Sequence, residues 1–355
     1  MRVLIVSGIW PPDVGGPASH APELADWLRA RGHRVEVLTT ASSRPAEQPY
    51  CVDWVSRRLP PGIRHAAVAA AVARQARRAD VVYATSMVGR TAFGCLLARR
   101  PFVAKLTTDP AFERSRRRAL GVDGAVSKAL RDVRNWSVRR AAHVVCPSEY
   151  IAALAAEWRG RDGISVLPNP APDETEALPV PPPMTRPVLA FAGRLTAAKN
   201  LDAAVRAVER LPGATLVVIG DGEERQRLEA LAGERVRFVG ARPRGEVLGL
   251  LAAADIAVLP SAWENFPHAA VEALAMGTPV VATRVGGVPE IVRDGENGIL
   301  VDAGDDDAFA EALARVLGDD ALRRRLAEAA APSVSRFAKD AVYGELERIL
   351  REAAA

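Results

Sequence analysis

The stretch LPNPAPDETEALPVPPPMTRP, residues 167–187, divides this chain. It holds eight prolines in 21 residues and no periodic apolar pattern, so residues 171–187 read as a linker, stiff where the prolines cluster. On both sides, short apolar runs alternate with helical patterns. Ahead of it lie the strand-like RVLIVSG (2–8), RVEVLTT (34–40), ADVVYATS (79–86), PFVAKLTTD (101–109) and HVVCPS (143–148). A helix is expected over SHAPELADWLRARG (19–32), with Ser19 as N-cap and Gly32 just past the last turn. Beyond the linker come VLAFAG (188–193), ATLVVIGDG (214–222), VRFVG (236–240), IAVLPS (256–261) and PVVATRVGG (279–287). Helices are expected at about 199–211, to about 232, near 244–254 and after Pro267. Such β-α-β alternation implies parallel sheets covered by helices on both faces. The expected fold class is α/β, two Rossmann-like domains facing a cleft, with domains at 1–170 and 188–337.

Composition fits this picture. A chain of 355 residues is too long for one ordinary core and suits two domains. No run approaches the roughly 18 apolar residues of a membrane span. The opening MRVLIVSGIW reads as a first strand, not as a signal peptide. Cys51, Cys95 and Cys146 are isolated, which argues against a metal site or disulfide framework and for a cytoplasmic protein. Residues 1–170 carry 26 Lys and Arg against 14 Asp and Glu, while the remainder carries 21 against 29. The basic half suits an anionic partner, such as a phosphorylated substrate, an acidic lipid surface or nucleic acid. Arg on solvated faces accounts for it equally well.

Ligands of open α/β sheets sit at the carboxyl ends of strands, so the residues just after each strand are the candidates. After the first strand, Gly15 and Gly16 precede a helix, where bare backbone N–H groups approach a phosphate or sugar; a flexible loop is the plain alternative. The spacing of Gly8, Gly15 and Gly16 is not the GxGxxG of a dinucleotide fold, which argues against a dehydrogenase. After VAKLT stand Thr108 and Asp109; the acid either orients a hydroxyl or caps the next helix. His20 is a further candidate on this side. After VLAFAG, Arg194 and Lys199 offer two cations near a helix start, suited to a diphosphate. Gly220, Asp221 and Gly222 form a turn before a helix, and Arg242 borders a base-binding wall or is merely solvated.

The last candidate stretch is ENFPHAAVE (264–272), with two carboxylates eight residues apart. Pro267 is expected at the first helical position and Gly277 past the end. Glu264 then lies in the loop above the sheet. Glu272 lies inside an apolar helix, where a carboxylate needs a partner. His268 reads as a packing or capping residue.

Taken together, the E-x7-E of Glu264 and Glu272, ALAMGTPVVAT, VGGVPEIVRDGENGILV, FAGRLTAAKN and VIGDGEE resemble a retaining glycosyltransferase of family 4 with the GT-B fold. The resemblance implies transfer of a sugar from a nucleotide-diphosphate sugar to an acceptor hydroxyl, with no cofactor, no metal and no nucleic acid. The donor would be a UDP-sugar first and a GDP-sugar second. It implies that Arg194 and Lys199 hold the diphosphate, that Glu272 binds the ribose, and that Glu264 and the backbone around Asn265 and Phe266 lie against the sugar. Gly16 would approach the diphosphate from the other domain. The last helix, 338–355, would cross back to the first domain. Many members carry a His where this chain reads KLTTDP, so Asp109 or Thr108 would replace it. Other GT-B enzymes, such as an epimerase or phosphorylase, and a non-catalytic sugar-nucleotide binder are the alternatives. The basic segment 113–142, with Trp136, suits contact with the inner face of a membrane or a solvated cover helix.

Overall fold

The computed structural model describes residues 1–13, 16–108, 125–180 and 186–355, with the side chains of 16–19 and 125–127 excepted. Gly15, Asp109 and residues 113–124 of the basic segment therefore lie outside the described residues. Two compact units are present: Met1–Asn169 with Asp340–Ala355, and Pro170–Lys339.

The first unit is built on seven parallel strands, β1 (Arg2–Ser7), β2 (Arg34–Ala41), β3 (Val52–Ser56), β4 (Val81–Ala84), β5 (Phe102–Lys105), β6 (His143–Cys146) and β7 (Ile164–Val166), in the order β3-β2-β1-β4-β5-β6-β7. Its helices are α1 (Gly16–Ala30), α2 (Pro61–Ala76), α3 (Val88–Ala98), α4 (Ala125–Arg140) and α5 (Glu149–Arg159). The central strands are buried on both faces. That is why β1 and β4 read as unbroken apolar runs and not as alternating patterns. β3 and β7 escape a reading by apolar runs because each is an edge strand with a half-polar face. Helix α1 begins at Gly16, so Ser19 lies inside its first turn and is not the N-cap.

The second unit repeats the plan with β8 (Val188–Ala192), β9 (Thr215–Ile219), β10 (Val236–Gly240), β11 (Ile256–Leu259), β12 (Val280–Thr283) and β13 (Gly298–Val301), ordered β10-β9-β8-β11-β12-β13 and all parallel. Its helices are α6 (Leu201–Arg210), α7 (Arg225–Leu231), α8 (Arg244–Ala252), α9 (His268–Ala275), α10 (Asp306–Gly318) and α11 (Asp320–Val334). In both sheets the strand order reverses beside the first strand, between β1 and β4 and between β8 and β11. Such a switch point opens a crevice at the strand ends.

Two local findings correct the sequence reading. Pro267 is the N-cap of α9, with extended backbone (φ −74°, ψ 110°), not its first helical residue. The proline-rich stretch is not a plain spacer throughout. Asp173 and Glu176 form a capping box around a single 3-10 turn, and Leu178 N–H donates to Gly245 O at 3.0 Å. Gly245 and Gly249, one turn apart on α8, make that approach possible. A Cβ on Gly249 would stand 1.9 Å from Leu178 O.

The final helix, α12 (Lys339–Ala354), buries Val342, Tyr343, Leu346, Ile349 and Leu350 in the core of the first unit, against α1 and the α1 face of the sheet. Its buried Glu347 accepts from Arg31 Nε at 2.7 Å, His33 Nε2 at 2.8 Å and Arg351 Nη2 at 2.7 Å. Burial pushes this carboxyl up, but the hydrogen bonds from His33, Arg351 and Arg31 outweigh it and hold it at about 2.

Candidate functional site

In the second unit the loops after β8 and β11 flank the switch point and are joined there. Ala262 N–H donates to Ala198 O at 2.9 Å. Glu264, buried in the β11 loop, accepts on Oε1 from Lys199 Nζ at 2.5 Å and from Ser261 Oγ at 2.8 Å. Ser261 is itself fixed, its carbonyl taking the Thr283 hydroxyl at 2.5 Å. Lys199 ends a one-turn 3-10 segment, and Asn200 after it adopts a left-handed conformation (φ 45°) that turns the chain into α6. One of the three ammonium donors of Lys199 is thus spent on Glu264, and the carboxylate fixes where the others point.

Beneath these loops the β8 and β9 turns meet backbone to backbone. Gly220 (φ 131°) lies so close to Gly193 that a Cβ on it would stand 2.0 Å from Gly193 O; a Cβ on Gly222 would stand 2.2 Å from Leu195 O. Any side chain here would push the two loops apart. Asp221 completes the turn, accepting from Gly222 N–H at 2.8 Å and pairing with Arg225 at 3.5 Å.

Glu272 lies one turn into α9 among buried Ala270, Val271, Ala273 and Leu274. Its Oε1 takes Arg244 Nη1 at 3.1 Å. Phe266 is buried, with its ring in the core and edge-on to Phe337 at 5.8 Å. Asn265 beside it is half-buried. Arg194 does not join Lys199. Its exposed guanidinium lies 4.0 Å from Glu223. Arg242 is also exposed, bonded to Val239 O at 3.0 Å and 3.7 Å from Glu246.

The first unit carries its polar groups differently. Ser7 and Lys105 end β1 and β5, Thr85 follows β4, Thr39 of β2 pairs with Ser7, and all four are buried. Lys105 Nζ donates to Asn169 Oδ1 at 2.5 Å and lies 3.1 Å from His20 Nε2. His20 Nδ1 is 3.2 Å from the Tyr343 hydroxyl, which also donates to Glu23 Oε2 at 3.4 Å. His20 is therefore a buried core member and not an open acceptor contact. Burial lowers the Lys105 ammonium to about 7. Thr108, just past β5, is half-buried. Gly16 opens α1. The loop leading to it is anchored by Arg57, whose Nη2 donates to Gly8 O at 3.0 Å, Thr40 O at 2.6 Å and Asp13 Oδ2 at 2.5 Å. Gly8 N–H donates to Ser86 Oγ at 2.5 Å, joining the loops after β1 and β4.

One surface of this unit combines apolar and basic groups. Phe93, Leu96 and Leu97 share a face of α3 and are 49%, 41% and 54% exposed; Val133 on the neighbouring α4 is 51% exposed. Neither α2 nor α3 contains an acid. Arg99 and Arg100, just past α3, and Lys128, Arg139 and Arg140 on α4 are also exposed, with Asp132 the acid on α4. Among the described residues no helix is long and apolar enough to cross a membrane, and no cluster of His, Cys, Asp and Glu would hold a metal ion.

Residues 173–332 match the family model for glycosyl transferases group 1, and residues 14–175 match that for glycosyltransferase family 4. A glycogen synthase of Mycobacterium tuberculosis is 32% identical over 93% of this chain and 89% of its own. A lipopolysaccharide core biosynthesis glycosyltransferase of Rhizobium meliloti is 40% identical over 45% of this chain, and a D-inositol 3-phosphate glycosyltransferase of Corynebacterium urealyticum 39% identical over 48%. These two matches span about half of those relatives' lengths, 48% and 44%. The fold is that of sucrose-phosphate synthase from Thermosynechococcus elongatus (TM-score 0.82, 22% identity, 99% and 98% of the two chains) and of Anabaena HepE in complex with UDP-glucose (TM-score 0.81, 22% identity, 99% and 100%). The chain belongs to the family 4 glycosyltransferases of the GT-B fold.

Proposed function

We propose that this chain transfers a sugar from a nucleotide-diphosphate sugar to an acceptor hydroxyl, with retention at the anomeric carbon and without a metal. The observation that carries the reading is the Lys199–Glu264 contact across the switch point of the second unit. Lys199, aided by Arg194, takes the diphosphate. Glu272 takes the ribose hydroxyls, and Arg242 with the Gly220–Asp221 turn borders the base. Glu264, Asn265, Phe266 and Pro267 lie along the sugar. In the reaction the bond between the anomeric carbon and the diphosphate oxygen breaks. The acceptor oxygen bonds the same face of that carbon, and its proton passes to the departing diphosphate. Lys199 offsets the charge gathering there, and removing one such donor typically costs about 3–4 kcal/mol in activation.

A UDP-sugar is the first candidate donor, as HepE is described in complex with UDP-glucose; a GDP-sugar is the second. Gly15 and Gly16 contribute to donor binding, Thr108 lies on the acceptor side, and Asp109 takes the role of the missing His. The acceptor is a glycolipid, a polysaccharide or a small molecule. The protein works in the cytoplasm at the inner face of the membrane. There the apolar and basic α3–α4 surface and segment 113–142 meet acidic lipid. No nucleic acid is involved.

The test is a screen of UDP-, GDP-, ADP- and TDP-sugars by thermal shift, followed by incubation of the stabilising donor with and without acceptor extracts. A glycosylated product with the donor's anomeric configuration supports the reading. An epimerised or phosphorolysed sugar without acceptor, or donor binding with no turnover, overturns it.

A further inference from the structure

Glu272 sits on an apolar helix face and its side chain is only 16% exposed. A glutamate has three side-chain torsions, and holding it in one rotamer costs entropy. The structure supplies the restraint. Arg244, the first residue of α8, spans two carboxylates: Nη1 reaches Glu272 Oε1 at 3.1 Å and Nε reaches Glu176 Oε2 at 3.4 Å. The other oxygen of Glu176 takes Lys339 Nζ at 2.5 Å and Asp173 N–H at 2.9 Å. Both oxygens of Glu176 are therefore engaged, and its position is fixed. Burial raises the Glu176 carboxyl, but the hydrogen bonds from Lys339 and Asp173 and the nearby charges of Lys339 and Arg244 outweigh it and keep it ionised.

The backbone shows how this placement arises. Gly245 and Gly249 open a groove on α8 into which Leu178 settles, and that brings Glu176 beside Arg244. Glu176 and Lys339 lie near the two ends of the second unit, Pro170 and Lys339, and Ala171 N–H donates to Phe337 O at 2.8 Å between those ends. The chain from Lys339 through Glu176 and Arg244 to Glu272 is thus continuous within one unit.

We infer that Arg244, clamped by Glu176 and through it by Lys339, is a positioning residue that fixes the Glu272 carboxylate for the pentose hydroxyls of the donor. The inference rests on the reading of Glu272 as the pentose-binding acid. Arg244 acts through Glu272 and touches no reacting atom. A carboxylate held this way discriminates hydroxyl from hydrogen, because a ligand lacking the hydroxyl leaves an oriented acceptor unmet. A wandering carboxylate loses that discrimination while retaining the diphosphate contacts of Lys199.

The experiment is calorimetric titration of the full chain with UDP and with 2′-deoxy-UDP, with unfolding followed on every variant. The wild type is expected to prefer UDP by about tenfold or more, and Glu272→Ala to lose the preference. Arg244→Ala and Glu176→Gln should cut the preference to about threefold or less, whereas Arg244→Lys, which keeps the cation, should recover part of it. The neutral Glu176→Gln keeps the inference open to test if Arg244→Ala does not fold. In turnover with the donor found by screening, both variants should raise KM and leave kcat within about twofold, the pattern of lost uniform binding. If Glu272→Ala abolishes the preference while Arg244→Ala and Glu176→Gln keep it, the inference fails and the donor-site reading stands. Equal weakening of both nucleotides marks Arg244 as merely structural and also overturns the inference. If Glu272→Ala itself changes nothing, the reading of Glu272 falls and the inference with it.

Discussion

The two units share one strand plan and differ in how charge is kept at the strand ends. In the second unit the charges face one another in pairs, Lys199 with Glu264 and Arg244 with Glu272, on loops and helix starts at the switch point. In the first unit the equivalent row is buried and mostly uncharged: Thr39, Ser7 and Thr85 beside a Lys105 whose ammonium is lowered to about 7. Paired charges are suited to a ligand that brings its own negative charge and exchanges hydrogen bonds with them. A buried neutral row is suited to holding a framework. The charged strand ends of the second unit therefore suit an anionic ligand, and the first unit is braced by α12.

The sharpest way to break this contrast is in the second unit. Glu264→Gln should lower kcat by about 10²–10³-fold, about 3–4 kcal/mol, with little change in stability. Full activity in this variant would remove the functional meaning of the pair.

Next comes the brace. Glu347→Ala leaves Arg31, His33 and Arg351 without their shared acceptor. Both arginines are over half exposed and return to water, so the loss should be about 2–3 kcal/mol, below the 3–5 typical of a fully buried pair. The pH dependence follows from the lowered carboxyl. Its stabilisation is present above the ordinary value of 4.5 and is lost as pH falls through about 2. Acid unfolding of the wild type should therefore steepen in that window, and Glu347→Gln should flatten it.

Lys105 gives a smaller effect of the same sign in a higher pH window. Its folded value near 7 lies below the ordinary 10.5, so between these the unfolded chain binds more protons and stability rises with pH. Between pH 7 and 9 the gain should be roughly 1–2 kcal/mol, within the limit of about 1.4 kcal/mol per unit. Lys105→Met should lack that rise; a parallel curve would mean that Lys105 stays charged in the core.

Smallest in stability is the α3 surface. Leu97→Asp should change folding by less than about 0.5 kcal/mol, since the side chain is exposed. It should nonetheless release the protein from vesicles containing acidic lipid at low salt. Unchanged sedimentation would exclude this surface as the contact.

How much of this was legible in the sequence follows from distance along the chain. Gly220, Lys199, Glu264 and Glu272 each stand within a few residues of an unbroken apolar strand or helix, and local pattern finds them. Their partners come from afar. Arg244 is 28 residues from Glu272, Asn169 is 64 from Lys105, and Tyr343 is 323 from His20. No local periodicity encodes such pairings. Glu272 inside an apolar helix did signal that a partner was required, but not which one. Arg194 and Lys199 read as a matched pair from their spacing, yet the 3-10 turn sends Lys199 to Glu264 and leaves Arg194 at Glu223.

The central claim is that the strand-end loops of the second unit hold a nucleotide-diphosphate sugar. Calorimetric titration of UDP-glucose into the wild type, Lys199→Ala and Glu272→Ala tests it most directly. The account predicts saturable one-site binding by the wild type and weakening of about tenfold or more in each variant. Undiminished affinity in both variants would contradict it.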